Sequence, residues 1–326
     1  MFRTEVTIPA SDLNLSLNDK VVTIGSCFAE VIGTKLQDYK ADVLVNPFGT
    51  IFNPISVCRL LQAVTGEPLN LEQSLVQRDG IWYSYDLHSS LSSPNKDALL
   101  QTIAQRIAQT REHLKEAKLL IITFGTAVSY KLTDTGTIVA NCHKLPAKQF
   151  SRTLLTTEEI NYSLEACYQA LKKFNPDLQT IVTVSPVRHV KETLPTNSVS
   201  KSILRVATHY MTERYKDVLY FPAYEIMLDD LRDYRFYGPD MLHPTPVAED
   251  YIWQKFAGAY LDPRFQEFIP AWEKIRRAIA HRPFHPNTEA HQAFIVKTIA
   301  QLQQLSANYN ISLEPEQLEL RRQLTI

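Results

Sequence analysis

Glycine is scarce, at 9 of 326 residues, and no glycine-rich phosphate loop or dinucleotide fingerprint occurs. A nucleotide cradle of that kind is therefore excluded. Cysteine is also rare. Cys27, Cys58, Cys142 and Cys167 stand far apart with no Cys-x-x-Cys pair, which argues against a disulfide framework and for reduced, packed thiols. No His-Glu-x-x-His occurs, and His and Cys spacing suggests no metal site, so neither metal nor other cofactor is expected. Net charge is nearly absent: 34 Lys and Arg face 35 Asp and Glu, without a basic run. That leaves no bulk electrostatic case for nucleic acid or an anionic membrane as partner. No segment approaches the ~20 apolar residues of a membrane span. The first residues carry Glu5 and no continuous apolar stretch, which reads against a secretory signal. With reduced thiols, the expectation is a cytoplasmic protein.

Five apolar runs, at 21–24, 43–45, 119–124, 181–184 and 218–221, are bounded by turn residues. Their weak polar alternation suits parallel strands covered on both faces. Amphipathic helical stretches fall between or after them, at 28–36, 55–64, 98–114, 160–174, 199–215 and 247–260. This alternation predicts an α/β, doubly wound three-layer domain over 1–262. Two hairpins interrupt it: 75–87 around Asp79-Gly80, and 127–145 around Asp134-Thr135-Gly136. Beyond 262 the pattern turns to Pro and Arg, then to a helix at 288–307. Residues 263–326 are expected to form a helical extension packed on the same domain, with a charged, mobile end from Glu314.

Ligands of such sheets bind outside the carboxyl ends of the strands. Ser26 falls at one of those ends, between strand 21–24 and the helix from Phe28. A serine there gains from unpaired N–H groups and the helix dipole, and its own N–H can face an oxyanion. The alternative is a tight turn with an N-cap serine. A serine hydroxyl needs a base to act as nucleophile. Asp240 and His243, in Gly238-Pro239-Asp240-Met241-Leu242-His243-Pro244, supply one: the carboxylate can accept from Nδ1 and leave Nε2 for the serine. Thr245-Pro246 reads as an N-cap with proline at the first helical position, anchoring the loop.

These residues carry a resemblance. Gly25-Ser26-Cys27-Phe28-Ala29 is the signature of the GSCFA family, and Asn46-Pro47-Phe48-Gly49-Thr50, Phe124-Gly125-Thr126-Ala127 and Asn141-Cys142-His143-Lys144 look like its further blocks. GSCFA domains are similar to the SGNH (GDSL-like) hydrolases. The resemblance implies a flavodoxin-like α/β/α fold and an esterase or deacylase, or an O-acyltransferase with the same triad. It implies a small-molecule or carbohydrate-linked acyl ester as substrate. It also implies an oxyanion hole completed by a glycine after the second strand, matched by Gly49, and an asparagine after the third. The chain departs there, with no Gly-x-Asn-Asp, so Thr126 or Asn141 is left to fill that role. That departure motivates a further alternative, a non-catalytic carbohydrate- or ligand-binding protein that retains the fold.

His143, Arg188 and His189 are candidate substrate-binding residues, since the last two leave the fourth strand at its ligand-facing end; all three also suit loop hydrogen bonding. Trp82, Tyr83, Tyr85 and Tyr130 can wall a cleft or simply pack across strands. Cys27 lies beside Ser26 at a helix start, which lowers a thiol pKa, although its side chain should point elsewhere. Oligomeric state leaves no mark in the sequence.

Overall fold

The computed structural model describes residues 3–191 and 193–324. Along the chain run β1 (Lys20–Gly25), α1 (Cys27–Asp38), β2 (Asp42–Val45) and α2 (Pro54–Thr65). A hairpin follows, β3 (Leu75–Arg78) and β4 (Ile81–Ser84), then α3 (Lys96–Glu116) and β5 (Ala117–Phe124). Next come β6 (Val128–Leu132), β7 (Ile138–Val139), β8 (Phe150–Leu154), α4 (Thr157–Phe174), β9 (Gln179–Val184), α5 (Leu194–Arg214) and β10 (Val218–Tyr220). The single turn α6 (Ala223–Glu225) runs on into a π-helical stretch, Ile226–Asp230. The chain ends in α7 (Pro246–Tyr260), α8 (Pro263–Ala280), α9 (Glu289–Tyr309) and α10 (Glu314–Arg321).

The main sheet is parallel and ordered β10-β9-β5-β1-β2. Read from the other edge, its strands come first-second reversed, then third, fourth and fifth, which is the flavodoxin-like order. Alternate residues of each central strand enter different cores. Val21, Leu119, Ile121 and Ile181 face Phe28, Ile32 and Leu36 of α1 and Ile252 and Phe256 of α7. Val22, Ile24, Leu120, Ile122 and Val182 face α2, α3, α4 and α5 through Leu61, Ile103, Leu164 and Leu204. Burial on both faces is why these strands read as unbroken apolar runs. Each such buried side chain contributes roughly 1.5–3 kcal/mol.

The first hairpin turns where expected, with Asp79 and Gly80 both at positive φ (52° and 78°), as a tight two-residue turn requires. The second gains a strand that the sequence reading did not include: β8 pairs with β6 along Val128–Leu132, so the insertion is a sheet β7-β6-β8.

The C-terminal extension contains two helices that the sequence reading did not delimit. Residues 263–280 form α8 despite Pro270 inside it, because Phe265, Phe268, Trp272 and Ile275 bury one stripe at helical spacing. Residues 314–321 are helical as well, with Leu320 buried and an ion pair from Lys40 to Glu316. The side chains of α8 and α9 belong to the same core as α1 and α7, and Trp272 Nε1 donates to the Asp38 carbonyl at 2.7 Å. Among the described residues no helix is long and apolar enough to cross a membrane.

Candidate active site

Ser26 follows β1 through a turn that only glycine fits. Gly25 has φ 133°, and a Cβ there would stand 2.1 Å from the Thr123 carbonyl oxygen of β5. Ser26 occupies the N-cap position of α1, with extended backbone (φ −70°, ψ 174°), and its carbonyl accepts from the Ala29 N–H at 2.8 Å. Its hydroxyl does not cap the helix. The residue is 1% exposed, and Oγ has no hydrogen-bond partner. A buried hydroxyl left unpaired costs about 1–3 kcal/mol, so the simple capping role fails to explain it.

Asp240 and His243 lie in a tight loop before α7. Asp240 Oδ1 accepts the N–H groups of Leu242 (2.9 Å) and His243 (3.0 Å), and Oδ2 lies 2.6 Å from His243 Nδ1. These backbone bonds, then the imidazole, hold the Asp240 carboxyl down at about 2. The carboxylate therefore favours the Nδ1–H tautomer. Thr245 caps α7 with Pro246 in the first turn, as the sequence suggested. Arg188 braces the loop: its N–H donates to the Leu242 carbonyl (3.2 Å), Nη1 to that of Met241 (3.4 Å), and its guanidinium lies 4.0 Å from the centre of the Tyr237 ring. Arg188 thus holds the segment that carries His243 and does not line the cavity described below.

Ser26 follows the carboxyl end of β1, and the loop of Asp240 and His243 is bonded by Arg188, which stands four residues beyond the carboxyl end of β9. Lys35 of α1 pairs with Asp250 of α7. Glu249, whose carboxyl is pushed up by burial and by Asp250 against the opposing pull of Lys35 and His243, lines one surface groove together with Cys27. The hydroxyl and the imidazole are nonetheless not hydrogen-bonded, since Ser26 Oγ has no partner, and the His243 side chain is 54% exposed.

The backbone donors named from the sequence are already engaged. The N–H of Ser26 bonds Thr123 O (2.9 Å), that of Gly49 bonds Asn46 O (2.8 Å), and that of Thr126 bonds Phe52 O (3.2 Å). The Thr126 hydroxyl lies 3.0 Å from Ser200 Oγ and accepts the Val128 N–H, so Thr126 ties loops together. Asn141 uses Oδ1 on the His143 N–H (2.8 Å), which leaves its amide NH2 as the group able to donate. Asn46, which sequence reasoning passed over, carries a buried amide with neither polar atom partnered. Burial pushes the Cys27 thiol up, against the opposing pull of Lys201 and of the N–H groups of Cys27 and Phe28.

Next to this turn opens a cavity of about 440 Å³. Phe52 links the two: a Cβ on Gly125 would lie 3.0 Å from its Cδ1 and 3.3 Å from Ser26 Cβ. His189 meets the Phe52 ring edge-on at 5.1 Å and lines the cavity, as does Asn141. His143 does not. It is 1% exposed, with Nε2 2.7 Å from Ser84 O and Nδ1 2.9 Å from Ser89 Oγ, stacked on Tyr83; burial lowers its pKa. Of the aromatic residues of the hairpins, Tyr130 lines the cavity, while Tyr83 and Tyr85 pack around His143 and Trp82 lies under Lys96.

Lys201 was missed by sequence reasoning. It is 1% exposed, and Nζ donates at 2.7 Å to the carbonyls of both Gly125 and Ser185, the residues that follow β5 and β9. Burial pulls its pKa down to about 7, with Cys27 acting weakly the other way. The signal was present: Asn197, Ser200, Lys201, Leu204, Ala207, Thr208 and Met211 form the buried stripe of α5, and a lysine stands inside it. Among the described residues no group of three or more His, Cys, Asp or Glu side chains is placed to hold a metal ion.

The sequence profile of the GSCFA family matches residues 20–256, and that of the GSCFA domain protein C-terminal domain matches residues 272–326. No protein with a curated description matches the chain. Among solved structures, a carbohydrate esterase family 3 protein from Talaromyces cellulolyticus is similar at 9% identity and TM-score 0.35, over 78% of this chain and 99% of that one. An acetyl xylan esterase, Est2A, from the rumen bacterium Butyrivibrio proteoclasticus is similar at 11% identity and TM-score 0.35, over 78% of this chain and 64% of that one. Both likenesses are too loose to carry chemistry across. The chain belongs to the GSCFA family.

Proposed function

We propose that this GSCFA protein is a serine-dependent ester hydrolase in which Ser26 is the nucleophile, His243 the general base and Asp240 the residue that orients the imidazole. The observation that carries the reading is the Ser26 hydroxyl, buried at the carboxyl edge of the sheet with no structural partner. Groups left in that condition recur where chemistry requires them. The 2.6 Å contact from Asp240 to His243 Nδ1 supports it, because it leaves Nε2 to work as the base.

In the proposed reaction, His243 Nε2 takes the Ser26 proton as Oγ attacks the ester carbonyl, then returns it to the departing alcohol. Water resolves the acyl-enzyme by the same route in reverse. Substrate must displace or complete the contacts around Ser26, and the imidazole must turn toward it; catalytic hydrogen bonds commonly tighten only in the complex. For the oxyanion, the candidate side-chain donors are the amide of Asn46, buried without a partner, and the amide NH2 of Asn141. Purified protein is expected to release p-nitrophenol from short acyl esters, and Ser26→Ala to abolish that release. Equal turnover by Ser26→Ala would remove the mechanism.

A second reading has its own support. The N–H groups of Ser26, Gly49 and Thr126 are all engaged, and Ser26 is not bonded to His243. A binding protein that retained the fold would look this way, and it would bind an ester without turning it over.

A further inference from the structure

Helix α5 opens with a buried polar stripe that the proposed chemistry leaves unused. Asn197, Ser200 and Lys201 share one face of its first turns and are all buried. Each reaches a loop at the carboxyl end of a strand. Asn197 Oδ1 accepts the His189 N–H at 2.9 Å. Ser200 Oγ accepts the Ala127 N–H at 2.7 Å and lies 3.0 Å from Thr126 Oγ1. Lys201 joins the two loops. Its Nζ donates at 2.7 Å both to Gly125 O, one residue beyond β5, and to Ser185 O, one residue beyond β9. Burying an ammonium is strongly unfavourable, and an apolar side chain of the same length would fill the space. What an apolar side chain cannot do is bond carbonyls from two separate turns at once.

Gly125 is where this link meets Ser26. Its N–H donates to Phe52 O at 2.9 Å, and a Cβ added to it would lie 3.3 Å from Ser26 Cβ. The Ser26 N–H bonds Thr123 O, and the Ser185 N–H bonds Phe124 O. The turns that follow β1, β5 and β9 are thus tied side by side, with the ammonium bonded to two of them. The Ser26 hydroxyl has no hydrogen bond of its own to fix it, so its place depends on neighbours that do not move. We propose that Lys201 is a positioning residue for Ser26: its ammonium locks the turns after β5 and β9 together, and the locked Gly125 holds the serine side chain in place. The lock is independent of the hydrolase reading; its use in ester chemistry rests on that reading. Displacing a reacting group by about 1 Å can cost about 10²-fold in rate, so a lock of this kind matters at a nucleophile.

Site-resolved hydrogen exchange of the full chain, read beside the rate of fluorophosphonate labelling at Ser26, tests both parts. In Lys201→Met the amides of Gly125 and Ser185 are expected to exchange at least about tenfold faster than in the parent, with those of α8 unchanged. Labelling of Ser26 is expected to slow by about 10- to 100-fold. Lys201→Gln keeps a donor but is too short to reach both carbonyls, so both readouts should fall between parent and Lys201→Met. It carries the test if Lys201→Met does not fold. Met211→Ala, toward the other end of the same buried stripe, should lower stability to urea yet label Ser26 at the parent rate. Unchanged exchange at Gly125 and Ser185 in the Lys201 variants would overturn the lock. Parent-rate labelling despite lost protection, or equal slowing in Met211→Ala, would overturn the positioning role. A parent in which Ser26 is never labelled would count against the hydrolase reading, and the exchange result would still decide the lock.

Discussion

The two halves of the candidate site are built in opposite ways. Ser26 is 1% exposed, set between two central strands, with its N–H engaged by Thr123 and its neighbours fixed by Gly25 and Gly125. Asp240 and His243 are about half exposed, on a loop shaped by its own turn and braced by Arg188. One half is part of the core; the other is a surface loop. In the proposed mechanism any rearrangement on substrate binding falls to the loop, because moving Ser26 would disturb the register of β1 on β5.

The largest effect that sharpens this contrast is on turnover. Ser26→Ala and His243→Ala are each expected to lower kcat by about 10⁴-fold or more. Their stabilities should diverge: Ser26→Ala removes a buried unpaired hydroxyl and should gain about 1 kcal/mol or lose nothing, as read by urea unfolding. Clear destabilisation by Ser26→Ala would assign the hydroxyl a structural role. Asp240→Asn should lower kcat on the order of 10³-fold with little change in KM, through loss of the correct tautomer. Arg188→Ala should have a smaller effect, about tenfold on kcat, because it only braces the loop; a change confined to KM would contradict that placement.

The buried half also carries a pH signature. Lys201 has its folded pKa lowered from 10.5 to about 7, so between those values the unfolded chain holds a proton that the folded chain has released. Stability contributed at this site therefore rises with pH from about 7 upward, with a slope of up to about 1.4 kcal/mol per pH unit. Below about 7 the folded state bears the full penalty of a buried ammonium. The unfolding free energy of the parent relative to Lys201→Met should accordingly climb between pH 7 and 10; a flat difference would contradict the reading. The exposed half has the same sign in a far more acidic window. Asp240 has its pKa lowered to about 2, so its contribution is present above the unfolded value of 3.8 and lost as pH falls through about 2. It stays ionised in mild acid, and the acid limb of a rate profile should not follow its titration.

What the sequence made legible follows the same division. The parallel strands were readable because both-face burial leaves unbroken apolar runs, and the Asp-x-x-His loop because its chemistry is local. The elements that escaped had mixed patterns: β8 alternates polar residues on a half-exposed edge, and α8 hides an apolar stripe behind Pro270. The engagement of the backbone donors named from the sequence was not readable for another reason. Whether the N–H of Gly49 or Thr126 is free depends on which carbonyl passes nearby, here Asn46 and Phe52, and no residue type encodes that. Lys201 was visible as a charge within a buried stripe, yet its two carbonyl partners come from loops 16 and 76 residues away.

The most direct test of the central claim is peptide-resolved mass spectrometry after treatment with a fluorophosphonate probe. An activated nucleophile would place the adduct on Ser26 and lose it in His243→Ala. Absence of an adduct from Ser26 in the parent protein, or undiminished labelling in His243→Ala, would contradict the account.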